Sequence, residues 1–173
     1  IEGWIYGTTA NVPTVGTNFT CTITYVYANA IDGTYTATVP TNAGTYYVKA
    51  IAAGDNNLIG ATSAPVAFVI EKATVNVPTY TEKYTYTGSE ITAGIPTSDL
   101  YTVSGDKQTV VGNYQATLSL TDTVNYKWST TEKSDDIQLA YEIEKAQITF
   151  NGAVAIEGWI YGTTANVPTV GTN

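Results

Sequence analysis

Tyr114-Gln-Ala-Thr-Leu-Ser-Leu-Thr121 alternates without a break: Tyr114, Ala116, Leu118 and Leu120 fall on one side, Gln115, Thr117, Ser119 and Thr121 on the other. A period of two residues is that of a pleated strand with one buried face. Threonine suits the outer face, because its β-branched side chain fits a pleated backbone while its hydroxyl meets water. Residues 19–27 read the same way, with Phe19, Cys21, Ile23, Tyr25 and Tyr27 inward and Thr20, Thr22 and Thr24 outward. Turn residues punctuate the runs at Asp32-Gly33, Asn42-Ala-Gly44, Gly54-Asp-Asn-Asn57, Gly88, Ser104-Gly-Asp106 and Asn151-Gly152. No window carries a capped helical period. The expected fold class is therefore all-β, built from small antiparallel β-sandwiches. A β-grasp-like arrangement, which needs one helix, is the alternative.

The chain repeats itself. Residues 1–18 and 156–173 both read IEGWIYGTTANVPTVGTN, identical at all 18 positions and separated by a period of 155 residues, with no linker or tag at the joins. A fainter repeat lies inside that period. Gly44-Thr-Tyr46 and Gly112-Asn-Tyr114 each open a strand pattern that closes on Glu71-Lys72-Ala73 and on Glu144-Lys145-Ala146. Three units are expected: a first module over 1–72, a complete second module over 73–145, and over 146–173 the start of the next copy of the first module. On this reading the first module begins after its own opening strand, whose sequence stands in the tail as Gln147-Ile-Thr-Phe-Asn151.

Composition excludes several functions. The 173 residues carry 7 basic and 15 acidic side chains for a net charge of −8, with no histidine and no methionine, and every basic residue is lysine. Lacking histidine, the chain has no imidazole base or imidazole metal ligand. One cysteine makes neither a thiolate zinc cage nor an internal disulfide. An acidic chain without arginine is a poor partner for nucleic acid or anionic lipid, and no apolar run has the length of a membrane-spanning helix. No cofactor is implied.

Gly44-Thr-Tyr-Tyr-Val-Lys-Ala50, Val124-Asn-Tyr-Lys-Trp128, Ala140-Tyr-Glu-Ile-Glu-Lys-Ala146 and the opening Ile1-Glu-Gly-Trp-Ile-Tyr-Gly7 resemble the signatures of bacterial immunoglobulin-like surface repeats, the MBG type of Gram-positive adhesins. The resemblance covers nearly the whole chain. It implies an extracellular stalk of tandem immunoglobulin-like modules on a protein attached to the cell wall, and it carries no catalytic residues. The expected function is a structural spacer without enzymatic activity, whose partners are further copies of the same repeat. The alternative is an adhesin module that binds host glycan or mucin, with Tyr80, Tyr84 and Tyr86 as stacking rings.

Other chemistry has a plainer reading beside it. Glu142/Glu144, Asp99/Asp106 and Asp135-Asp136 are the nearest acid pairs; Glu142 and Glu144 read as solvated charges on the outer face of a strand whose Tyr141 and Ile143 point inward. Asp55-Asn56-Asn57 and Asp32-Gly33 offer oxygens to Ca²⁺ but lack the spaced ladder of a calcium loop and read as turns. Lys49, Lys72 or Lys145 could form an isopeptide crosslink if desolvated beside a carboxylate. Cys21 reads as a small buried hydrophobe. Trp4, Trp128 and Trp159 read as core or rim anchors, with Trp4 and Trp159 at one structural position in successive copies. The remaining candidates concern contact between copies: Gln147, Ile148, Thr149, Phe150, Ile156 and Trp159 are expected to pair with residues 1–72 of another copy, head to tail.

Overall fold

The computed structural model describes residues 1–169; the last four positions of the second copy of the repeat lie outside the described residues. The first sheet comprises β1 (Trp4–Ile5), β2 (Ile23–Ala28), β3 (Gly44–Ala52), β4 (Ala61–Thr62) and β5 (Val66–Glu71), in the order β1-β5-β3-β2 with β4 added to the end of β3. The remaining strands are β6 (Ala73–Val75), β7 (Lys83–Thr85), β8 (Ile91–Thr92), β9 (Tyr101–Ser104), β10 (Lys107–Gln108), β11 (Gly112–Leu120), β12 (Tyr126–Trp128) and β13 (Ile137–Glu144). Here the main ladder runs β7-β13-β11-β9, and the pairs β6·β12 and β8·β10 are separate small sheets. The chain is all-β, with sheets curled as in a β-sandwich. Among the described residues there is no helix, so the β-grasp alternative is not what this sequence builds.

The two ladders share one plan. β3 and β11 each span nine residues, open on glycine, and place a tyrosine two residues on whose hydroxyl donates to a carbonyl four residues back: Tyr46 to Asn42 at 3.1 Å and Tyr114 to Val110 at 2.8 Å. Their antiparallel partners align likewise, with Gly44 opposite Ile70 and Gly112 opposite Ile143. At the edge a short strand joins in parallel, Trp4 beside Ile70 in one ladder and Tyr84 beside Ile143 in the other. β1 thus corresponds to β7, β2 to β9, β3 to β11 and β5 to β13.

The inner face of β11 behaves as its alternation requires: Ala116, Leu118 and Leu120 are buried under Val75, Ile91, Ile95 and Trp128. The 1–72 core is smaller and holds Trp4, Tyr27, Val48, Phe68 and Ile70, with Trp4 stacked on Phe68 at 5.2 Å. The run expected from Phe19 is strand only from Ile23. Ile23 faces Ala52, the last residue of β3, and beyond them the run contributes one more bond, the Thr22 carbonyl accepting the Ala53 N–H at 2.9 Å. Thr17 Oγ1 instead donates to the Phe19 carbonyl at 2.7 Å, Phe19 is exposed, and Cys21 is half-buried beside Thr17 rather than sealed in a core.

Candidate functional site

Two places emerge: the junction at residue 72, and the face of residues 1–72 that Ala50 and Ala52 line. The junction centres on Asn125. Asp122 Oδ1 accepts the backbone N–H groups of Val124 and Asn125 at 3.0 and 3.1 Å, an Asx turn that throws Asn125 inward. Asn125 is buried, and every polar group of its side chain is used. Its Oδ1 accepts the Ala43 N–H at 2.8 Å, and its Nδ2 donates to Asp122 Oδ2 at 2.7 Å and to Asn42 Oδ1 at 3.3 Å. Its carbonyl accepts the N–H of Ala73, the residue that follows the turnover from β5 to β6, at 2.9 Å. One side chain therefore ties the turn before β3 to the turn before β12.

Lys72 adds a second tie. Its Nζ donates to the Thr123 carbonyl at 2.6 Å and to Ser134 Oγ at 2.8 Å, and Ser134 Oγ donates to the Tyr126 carbonyl at 2.6 Å. The Tyr6 ring meets the Tyr126 ring edge-on at 5.5 Å. The hydrogen bond from the Asn125 side chain, reinforced by backbone N–H groups and the nearby Lys72 charge, holds the Asp122 carboxyl below the usual carboxylate range, against a smaller opposing effect of burial. In Val124-Asn-Tyr-Lys-Trp128 the labour is divided: Asn125 and Tyr126 serve the junction, and Trp128 fills the core, its Nε1 donating to the Asp135 carbonyl at 2.9 Å.

The candidate acids and amines find other partners. Glu142 and Glu144 clamp Lys83 on the neighbouring β7, each at 2.9 Å, and this holds the Lys83 ammonium well above its ordinary range. Asp55 Oδ1 accepts the N–H groups of Asn57 and Leu58 at 2.7 and 2.8 Å, a turn of the same kind as that of Asp122. Among the described residues no three acidic or cysteine side chains converge on a point that could hold a metal ion. The Lys49 Nζ lies 4.0 Å over the Tyr35 ring, and Lys145 is exposed. Tyr80 and Tyr84 share a hydroxyl–hydroxyl bond of 3.0 Å and pack on the 73–145 core, which lifts the Tyr80 phenol above its ordinary range, burial first and the Tyr84 bond second; only Tyr86 is exposed.

The duplicated segment appears twice in one local conformation and two environments. Asn11 Nδ2 donates to the carbonyls of Glu2 and Gly3, and Asn166 Nδ2 to those of Glu157 and Gly158. Thr8 Oγ1 donates to the Ile5 carbonyl at 2.7 Å, and Thr163 Oγ1 to that of Ile160 at 2.7 Å. Yet Trp4 is 8% exposed and Trp159 is 51% exposed. Ile148, at 80%, and Phe150, at 67%, are exposed, as is Ile156, while Gln147 Nε2 donates to the adjacent Ile148 carbonyl and Thr149 is exposed. None of the strand pairings of residues 1–72 within the described chain involves residues 146–169. The structure thus gathers Gln147, Ile148, Thr149 and Phe150 into one exposed stretch and leaves them, with Ile156 and Trp159, away from residues 1–72 of their own chain.

Asn125 stands in the sequence within the Val124-Asn-Tyr-Lys-Trp128 stretch, which marks the residue but not its contacts with Asn42 and Ala43. No protein-family model matches the chain, and no curated protein matches it.

Proposed function

We propose that this chain is a structural spacer, a repeat of a long extracellular bacterial surface protein attached to the cell wall, in which copies follow one another head to tail and no catalysis takes place. The observation that carries this reading is the junction. Residues 1–72 and 73–145 meet without a flexible linker, and Asn125, Lys72 and the Tyr6–Tyr126 contact span the boundary. Each net hydrogen bond contributes on the order of 1 kcal/mol, so the set opposes bending between units. In a serial array such nearest-neighbour terms set length and stiffness.

Small-angle scattering on a chain of two consecutive 155-residue periods tests the reading: the expected profile is that of a rod, and a profile of freely hinged beads contradicts it. The partial burial of Tyr80 and Tyr84 weighs against direct stacking on host glycan. A glycan array that recorded millimolar or tighter binding by one period would favour that alternative.

A further inference from the structure

In the 73–145 unit the inner face of β11 is closed by β6 and by the strand it pairs with, β12, in the register Ala73–Tyr126 to Val75–Trp128. The 1–72 unit has the wall but, among the described residues, no strand in that place. Instead two adjoining concavities of about 160 and 110 Å³ lie along β3 and share Val15, Ala50 and Ser63 as lining. Correspondence between the units shows what has changed. Ala50 and Ala52 take the places of Leu118 and Leu120. Trp128 has no counterpart in the same setting: it lies in β12 against β6, whereas in the 1–72 unit β4 pairs with the end of β3, Ala61 opposite Ala52, and Ala61 lines the concavity from there. The wall of the 1–72 unit is cut back at Ala50 and Ala52.

The segment Ala146–Phe150 is enlarged to match. Aligned on the shared Glu-Lys-Ala triplet, Ile148 replaces Val75 and Phe150 replaces Val77. Alternation puts Ile148 and Phe150 on one face, and both are exposed in the described chain. A small wall opposite a large strand conserves the volume that close packing demands.

We propose that the groove along Ala50, Ala52 and Ala61 is an acceptor site for the strand Gln147–Phe150 of a second copy of this chain, with Ile148 and Phe150 entering the groove as Val75 and Val77 enter the 73–145 core. This rests on the serial-repeat reading above and names the contact by which one copy completes the next. Residues 146–150 have no counterpart within the acceptor's residues 1–72, whereas residues 156–169 would have to compete with the acceptor's own Ile1–Thr14. Donor and acceptor patches differ, so the contact is heterologous and propagates head to tail.

Sedimentation velocity of the full 173-residue chain over a range of concentrations tests the site. An open series of dimers, trimers and longer species is expected, abolished by Ile148→Asp with Phe150→Asp. Those positions are exposed, so the folded units remain intact, as their circular dichroism will record. A second chain, with Ala146–Ala155 duplicated ahead of Ile1, places the strand in cis. It should remain monomeric and melt about 10 °C higher, a gain lost when the two aspartates are put into the added strand. The proposal is overturned by a native chain that stays monomeric up to millimolar concentration, by association that survives both substitutions, or by an added strand that leaves the melting temperature unchanged. A stalk that proves flexible in scattering alters none of these readouts, so the two ideas fail separately.

Discussion

Residues 1–72 and residues 73–145 carry the same four-strand ladder, with the same glycine-tyrosine start to the long strand and the same parallel strand at the edge, but they are closed to different degrees. In the second, the inner face of β11 lies under Val75, Ile91, Ile95 and fully buried Trp128. In the first, Ala50 and Ala52 are only half-buried and Ile59 is wholly exposed. The difference teaches that the ladder and its cover are specified separately. Strand alternation and turn residues suffice to build the ladder, whereas the cover of the 73–145 unit comes from residues outside it, Val75, Ile91, Ile95 and Trp128.

The sharpest way to break this contrast is to remove the cover where it exists. Trp128→Ala deletes a completely buried ring and strands the Asp135 carbonyl; it should cost about 3–5 kcal/mol. Trp4→Ala, in the thinner core, should cost about 2 kcal/mol. Urea unfolding of both variants measures the gap, and equal costs would mean that the two units are closed alike.

The duplicated segment gives a finer contrast. A Cβ on Gly3 would run into the Val69 carbonyl where β1 lies along β5, while a Cβ on Gly158, the same residue of the second copy, would meet nothing within 4 Å. Gly3→Ala should therefore lose about 2–3 kcal/mol and Gly158→Ala should stay within about 0.5 kcal/mol of the parent. Thermal melts of the two single variants check this. In a longer array, where the second copy is completed, the second substitution should become as costly as the first.

At the junction, Asn125→Ala leaves the Ala43 N–H and one Asp122 oxygen without their partner. A loss of about 2 kcal/mol is expected, together with a wider spread of inter-unit angles in scattering. The smallest effect is that of pH. Asp122 has a native pKa below its ordinary 3.8, so the native state favours the ionised form. Its contribution is complete above the ordinary value and disappears as pH falls through the lower native one. Acid titration should show a modest junction loss below pH 4 that Asp122→Asn removes.

Much of this was legible beforehand. Tyr114 to Thr121 announced a half-buried strand, and the identity of residues 1–18 with 156–173 announced that a single position would occur in two settings. The strand expected from Phe19 failed at Thr22 because pairing depends on how far β3 extends, which alternation in one segment does not report. The stretch Val124–Trp128 marks Asn125 without its role, because its partners, Asn42 and Ala43, lie far off in sequence. Lys72 reads as a crosslinking candidate because a lone lysine next to a boundary gives no sign of the Thr123 carbonyl and Ser134 hydroxyl that accept its hydrogen bonds. The groove is silent in the sequence because Ala50 and Ala52 have meaning only beside Leu118 and Leu120 at the matching positions of the other ladder.

Hydrogen exchange on a chain of two consecutive 155-residue periods, compared with the 173-residue chain in dilute solution, tests the central claim most directly. The amides of residues 59–62 should be markedly better protected in the second period, where a preceding Gln147–Phe150 strand is at hand, than in the dilute single chain, while residues 48–52, paired within the β3 ladder, and residues 114–120 stay protected in both. Equal exchange of residues 59–62 in the two settings would contradict it.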